Sequence, residues 1–441
     1  MEKLDTKQSQ ELYTRAKAMI PGGTQLLTKR PEMFLPDQWP AYYSKAKGCE
    51  VQDIDGNKYI DMSYMGIGSC ILGYADDDVN AAVCQAIADG SMCTLNCPEE
   101  VELASKLIIK HPWAKYVRYA RTGGEAMAIA VRIARTRTYK DKVLFCGYHG
   151  WHDWYLSANI VDHNMLNGHL LNGLSAGGVP LCLQHTAIPF KYNDIDEFYR
   201  LVGKYCGDIA AIVMEPIRNH YPKNNFLDNI KRVAVSNNIV LIFDEITSGF
   251  RLTNGGSHLH SDLDVWPHMA VFAKGISNGF PMAAVVGNGI LDEAQNTFIS
   301  STYWTERIGP VAALATLEKI ERCGVIKYIN DVGKQVQDIW KKYAQKYDLS
   351  ISTSGIHPLG HFEFADNNLL FKTLFTQFML EEGFLATTSF YASFAHKKSH
   401  VDKYKEAVDI TFERIKVAMD GGRPESYLNG PICHAGFGRL N

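Results

Sequence analysis

Six short apolar runs punctuate the middle of the chain, near residues 117–120, 143–145, 209–214, 240–243, 271–273 and 283–286. Each is rich in branched or aromatic residues and bounded by polar residues or glycine, the pattern of a strand buried on both faces of a parallel sheet. Between the runs apolar residues recur at helical spacing. The region from about Asp61 to Pro310 therefore reads as an α/β arrangement of alternating strands and helices.

The two ends read differently. Leu12, Ala16, Met19 and Ile20 share one helical face, and Pro21-Gly22-Gly23 ends that helix. Alternating segments on either side of Asp55-Gly56 predict a hairpin over 51–61. A calcium loop is excluded there, because the glycine comes too early and no glutamate stands at the bidentate position. After Pro310 a long helical run leads to strand candidates at 349–353 and 361–364 and to a closing helix over about 399–419, a second and smaller domain. The glycine-bearing stretch 164–178 reads as a long irregular loop, a candidate lid.

With 441 residues the chain has ample core for two to three domain-sized units. Its net charge of −3, with both signs interspersed, offers no basic surface for nucleic acid or an anionic membrane. No apolar run approaches the ~20 residues that cross a bilayer. The ten cysteines are scattered, and Cys93 and Cys97 lack the spacing of a zinc knuckle or a redox pair. Reduced thiols in a cytoplasmic protein fit that usage. The polar start, of mixed charge, has the character of neither a secretory signal nor a transit peptide.

Two strand ends carry the chemistry. The run 239–243 ends in Asp244-Glu245, and the run 269–273 ends in Lys274-Gly275. Ligands of open α/β sheets bind outside the carboxyl ends of the strands, so a carboxylate and an amine delivered from neighbouring strands meet across one pocket. Together they suit pyridoxal phosphate: the amine forms a Schiff base with the aldehyde, and the carboxylate keeps the pyridine nitrogen protonated. Either residue alone is as well explained by a loop or a helix cap.

Further motifs stand at other strand ends. Thr122-Gly123-Gly124 follows a strand and opens a helix, where free N–H groups and the dipole attract a phosphate; an ordinary strand-to-helix turn is the alternative. Tyr148 can lie flat on a planar ring or pack in the core. His149, next to it, is grouped with the cofactor residues, and a metal site using His149 and His152 is the competing reading. Glu215, in Met214-Glu215-Pro216, supports the site or the fold. A nicotinamide site is disfavoured because Thr122-Gly-Gly-Glu lacks the spaced GxGxxG pattern.

In chain order, from the Thr122-Gly123-Gly124 turn through Tyr148-His149-Gly150, Glu215-Pro216 and Asp244-Glu245-Ile246 to Lys274-Gly275, the motifs resemble the class III pyridoxal phosphate aminotransferases, in particular glutamate-1-semialdehyde aminomutase and its relatives. The resemblance runs from Ile20-Pro-Gly-Gly23 through Asp53–Asp61 and Tyr192-Asn-Asp194 to Phe394-Ala-His396. It implies fold type I: a large domain over 61–315 with a mostly parallel central sheet flanked by helices, and a smaller α+β domain from both termini, with 1–60 joining 316–441. It implies that Lys274 carries the cofactor, Asp244 pairs with the pyridine nitrogen, and Ile246 packs on the ring face opposite Tyr148. Thr122, Gly123 and Gly124 would hold the phosphate, completed by Thr302 or Thr305 across the interface of a homodimer with two shared active sites.

Departures from the aminomutase weigh on the reaction. Lys29 stands where an arginine for the substrate carboxylate is expected, and a lysine cannot grip a carboxylate bidentately. The segment 302–310 is longer than expected, which puts Glu306 and Arg307 within reach of a different substrate, and Tyr391 replaces an expected glutamate. The expected reaction is therefore a ping-pong transfer of an amino group from an amino-acid donor to a ketone or aldehyde, with a polar, sugar-like acceptor suggested by the polar loops. The alternative is an intramolecular aminomutase.

Overall fold

The computed structural model describes residues 5–169 and 171–437. The chain divides into two compact units, one built from both ends (up to Asp76 and from Lys327 on) and one from the continuous stretch Asp77–Ile326 between them. The boundaries read from the sequence, 60/61 and 315/316, lie earlier in the chain.

The chain opens with helix α1 (Lys7–Met19) and strands β1 (Tyr43–Lys47), β2 (Glu50–Asp53) and β3 (Lys58–Met62). The inward face of α1 is Ser9, Tyr13 and Ala16, while Met19 is exposed. The face shifts from the expected one because the Ser9 hydroxyl accepts the N–H groups of Ala41 and Tyr42 at 2.9 and 3.3 Å, a polar task that apolar spacing does not reveal. Strands β2 and β3 form the expected hairpin, with Val51 opposite Tyr59. Gly56 takes φ +94° in its turn, and Asp53 Oδ1 accepts the Asn57 N–H at 2.8 Å.

The second unit contains α2 (Asp77–Ala88), α3 (Glu99–Lys110), β4 (Tyr116–Ala120), α4 (Gly123–Thr138), β5 (Lys142–Cys146), α5 (Asp153–Leu156) and β6 (Ala187–Pro189). It continues with α6 (Ile195–Tyr205), β7 (Ile209–Met214), α7 (Phe226–Ser236), β8 (Val240–Asp244), β9 (Met269–Phe272), β10 (Ala283–Gly287) and α8 (Ile308–Arg322). Its seven strands form one sheet in the order β4-β10-β9-β8-β7-β5-β6. The pairs from β9 through β6 are parallel, and β10 runs antiparallel to both neighbours. The reversal follows from chain length: β9 ends at Phe272 and β10 begins at Ala283, too short a link for the dozen or more residues of a parallel crossover. Strand β6, three residues at the sheet edge, is too short to register as an apolar run and was not anticipated.

Strands β7 to β10 are buried along their whole length. Helix α4 packs Ala126, Met127, Ile129, Ala130 and Ile133 into the same core cluster as Val213, Ile242, Val271 and Val285. Three of the buried side chains on α4 are alanines, Ala126, Ala130 and Ala134, which lets the helix lie close to the sheet and brings its amino end to the rim. The described residues of 164–178 hold neither helix nor strand.

The chain then returns to the first unit through α9 (Val325–Lys346), β11 (Ile351–Ser354), β12 (Leu359–Phe364), α10 (Asn368–Glu381), β13 (Phe384–Ala386), β14 (Ser389–Tyr391) and α11 (Lys398–Asp420). There β13 joins β1–β3 in a four-stranded sheet, pairing parallel with β3, and β11-β12-β14 form a three-stranded antiparallel sheet. All ten cysteines are free. Among the described residues no helix is long and apolar enough to cross a membrane.

Candidate active site

Register places the chemistry. Met214 of β7 pairs with Phe243 of β8, and Asp244 pairs with Val271 of β9. Glu215, Asp244 and the turn after β9 thus line up along one edge of the second unit, at strand spacings of about 4.8 Å. That edge is the carboxyl end of the parallel strands, where open α/β sheets bind ligands.

Lys274 leads the turn after β9 with φ +51°, a left-handed conformation that costs a non-glycine residue about 1–2 kcal/mol. Its Nζ donates to Thr247 Oγ1 at 2.8 Å. Burial first, then the Arg218 guanidinium, pushes the amine down to about 8; Glu215 and Asp244 act in the opposite sense. A lysine so placed is neutral, and nucleophilic, far more often near neutral pH than one in water.

Asp244 is buried. Its Oδ2 receives His149 Nδ1–H at 2.7 Å, and its Oδ1 receives the Ile246 N–H at 3.0 Å. His149 Nε2 faces the Cys146 carbonyl at 3.0 Å. The two ring nitrogens thus tie Asp244 to the β5 end, fixing the carboxylate in place across the sheet. The adjacent Glu245 is also fully buried. Burial opposes its charge, but His258, through its ring and its N–H, and the Ser248 hydroxyl more than offset this and lower its pKa. Trp113 Nε1–H in turn donates to His258 Nε2 at 2.9 Å, so this second carboxylate is consumed in bracing the strand end.

Tyr148 lies half-buried against the core cluster; burial and the charge of Asp244 raise its hydroxyl pKa. Glu215 has its carboxyl pKa raised by burial, with Arg218 pulling the other way through Nη1 contacts of 3.2 and 3.4 Å to its two oxygens. Thr122 caps α4 in a reciprocal box with Glu125: the Thr122 oxygen accepts the Glu125 N–H at 3.3 Å, and the Glu125 carboxylate accepts the Thr122 N–H at 2.9 Å. Gly123 and Gly124 follow in the first turn. A Cβ on Gly123 would lie 2.7 Å from Ile246 Cδ1, and one on Gly124 would lie 2.8 Å from the His152 ring, so a larger residue at either position would have to displace those side chains.

Thr302 and Thr305 sit on a short exposed turn, where Thr305 Oγ1 donates to the Thr302 carbonyl at 2.9 Å. Among the described residues no hydrogen bond joins them to the Lys274 cluster. Glu306 and Arg307, expected within reach of a substrate, are engaged elsewhere. Glu306 accepts the N–H groups of Ile308 and Gly309 at the start of α8 and pairs with Arg121 Nε at 2.8 Å, and Arg307 grips Glu99. His149 and His152 do not form a metal site, and no group of three His, Cys, Asp or Glu among the described residues does. In the first unit, Tyr391 lies edge-on to Tyr64 and Lys29 ends a short 3₁₀ turn. Sequence reasoning missed Thr247 and Arg218. Each stands three residues after a strand-end carboxylate, Asp244 and Glu215, a spacing that folds back on the rim.

The sequence model of the class-III aminotransferases matches residues 36–401. A 3-aminobutyryl-CoA aminotransferase of Cloacimonas acidaminovorans (strain Evry) is 31% identical over 387 residues, covering 86% of this chain and 88% of that protein. The chain belongs to the class-III aminotransferases. A glutamate-1-semialdehyde 2,1-aminomutase of Francisella philomiragia subsp. philomiragia is also 31% identical, over 90% of this chain and 95% of its own length. Among solved structures, the chain superposes on the FumI protein of Sphingopyxis sp. MTA144 with TM-score 0.85 at 22% identity, covering 95% of this chain and 99% of that one. An omega-transaminase from Sphaerobacter thermophilus gives TM-score 0.81 at 23% identity, over 92% and 97%. These likenesses give the fold, the type I fold of such transferases. As a class-III aminotransferase the protein is an enzyme whose cofactor is pyridoxal phosphate. The second unit suits that cofactor on its own evidence: an amine with a depressed pKa, a buried carboxylate on the neighbouring strand, and a glycine-lined helix start.

Proposed function

We propose that this aminotransferase moves an amino group from an amino-acid donor to a ketone or aldehyde acceptor in two half-reactions at Lys274. The observation that carries the reading is the Lys274 amine, depressed to about 8 and flanked by Asp244 and Glu215 on adjacent strands. Bound pyridoxal phosphate supplies an aldehyde that captures the amine and an electron-poor ring that stabilises negative charge on the neighbouring carbon. Lys274 would hold the cofactor covalently, yield its place to the donor nitrogen, and then through Nζ take a proton from the donor carbon in the first half-reaction and deliver one to the acceptor carbon in the second. Asp244, oriented by the His149 ring and the Ile246 N–H, would hold the proton on the pyridine nitrogen. Tyr148 and Ile246 would flank the ring, and the Thr122-Gly123-Gly124 turn would take the phosphate.

A homodimer completes this picture, with Thr302 or Thr305 reaching the partner's phosphate. Support comes from apolar surface around that turn. Thr305 Oγ1 lies 3.8 Å from Met92 Sδ and the Arg307 N–H bonds the Ser91 carbonyl, while nearby Leu95 is 79% exposed and Tyr303 72% exposed. Apolar side chains left so open suit a surface that another chain covers. A cytoplasmic location is consistent with ten free thiols.

The intramolecular reading stays in play through the 31% identity to an aminomutase. The deciding experiment mixes the yellow holoenzyme with a panel of amino acids, follows bleaching of the cofactor absorbance, and screens carbonyl compounds that restore it. Amine product from a single substrate with no amino acid added would overturn the transferase reading. Retained turnover in Lys274→Ala would overturn the assignment of the lysine.

A further inference from the structure

The Glu215–Arg218 pair stands just beyond β7, at the same sheet edge as Asp244 and Lys274. Arg218 turns back after β7 so that Nη1 lies 3.2 and 3.4 Å from the two Glu215 oxygens, and the side chains are only 14% and 12% exposed. The surrounding backbone holds the pair in place: a Cβ on Gly147 would stand 3.2 Å from Glu215 Oε2, and the Tyr192 hydroxyl donates to the Pro216 carbonyl at 2.6 Å. Glu215 closes β7 one strand over from Asp244, so Arg218 stands on the same rim as Lys274, and its charge acts on both the Lys274 amine and the Tyr148 hydroxyl. Arg251, the other cation acting on Lys274, is 2% exposed and directs its Nε to the Thr247 carbonyl.

An α-amino acid that brings its nitrogen to the Lys274 position carries its carboxylate two bonds away. A fixed cation beside the lysine offers that carboxylate a partner in a site of low dielectric. A guanidinium suits the task because its planar fork matches a carboxylate, and Glu215 both orients the fork and offsets the cost of burying its charge. We propose that Arg218 anchors the carboxylate of the amino donor, selecting amino acids over simple amines, with Glu215 as its positioning residue. The proposal rests on the aminotransferase reading above and names the feature that sets its donor class.

The test compares holoenzyme with Arg218→Lys and Arg218→Met variants. Each is assayed for cofactor bleaching by L-alanine, L-glutamate and isopropylamine. Propionate binding is followed separately through the cofactor absorbance, and cofactor dissociation by dialysis. Loss of a charge-assisted contact is worth roughly 10- to 100-fold. Arg218→Met should therefore weaken propionate binding by about that factor and lower kcat/KM for the amino acids about 10- to 100-fold more than for isopropylamine, chiefly through KM. Arg218→Lys should recover part of the difference. If Arg218→Met fails to fold because Glu215 is left buried and unpaired, the Glu215→Gln/Arg218→Met double variant removes both charges and should show the same loss of propionate binding.

Unchanged propionate binding, equal losses for all three donors, or a loss that tracks cofactor dissociation would overturn the proposal and assign Arg218 to the cofactor or the fold. A wild-type enzyme that no donor bleaches would instead sink the transferase reading itself.

Discussion

Lys274→Met in the cofactor-free protein isolates the energetic cost of the active-site amine. Moving the lysine from 10.5 to about 8 corresponds to about 3 kcal/mol at about 1.4 kcal/mol per pH unit. The side chain keeps some exposure, so solvent screening trims that figure. The lost bond to Thr247 Oγ1 removes about 1 kcal/mol more. A net gain of about 1–2 kcal/mol at pH 7 remains for the methionine variant. The folded pKa lies below the unfolded one, so below pH 8 both states are protonated and the cost is present in full. Between pH 8 and 10.5 the folded amine sheds its proton while the unfolded amine keeps it, and the parent gains stability as pH rises. The advantage of the variant should therefore be largest at pH 7 and vanish near pH 10.5. Urea unfolding of both cofactor-stripped proteins at pH 7 and pH 10 measures it. A variant less stable than its parent at pH 7, or an advantage that does not change with pH, would refute the account of a desolvated lysine.

Asp244→Asn removes the charge paired with His149 and should lower kcat by on the order of 100-fold or more while the fold survives; rapid-mixing rates set against melting curves check it. Gly123→Val would drive a side chain against Ile246 Cδ1, 2.7 Å from the first added carbon, and strain of about 1–3 kcal/mol should weaken cofactor binding about tenfold or more. Equilibrium dialysis of the cofactor reads that loss. Glu306→Gln should cost about 1–3 kcal/mol by loosening both Arg121 and the start of α8. Donor preference should stay as in the parent, and a changed preference in donor kinetics would return Glu306 to the substrate site.

The apolar runs sufficed for β5 and β7 to β10, because a strand buried on both faces announces itself as an unbroken apolar run, whereas β4 is partly buried and carries Arg118 in its middle. The two strand-end residues, Asp244 and Lys274, were legible for the same reason: a charge closing such a run has only the rim to occupy. The ten-residue gap between β9 and β10 already carried the antiparallel return, since no crossover helix fits in it.

Tertiary structure decided what depends on distant residues meeting. Spacing alone left Glu306 and Arg307 open to a substrate, yet Arg121 and Glu99, about two hundred positions away, claim them. His149 acquires its meaning from Asp244 across the sheet, and Glu245 is spent on His258 and Ser248 although it adjoins Asp244 in the chain. The depressed Lys274 amine belongs to no single motif. It is the sum of burial and four charges brought from the ends of β7 and β8 and the loop beyond β8, which only the folded sheet sets beside the end of β9.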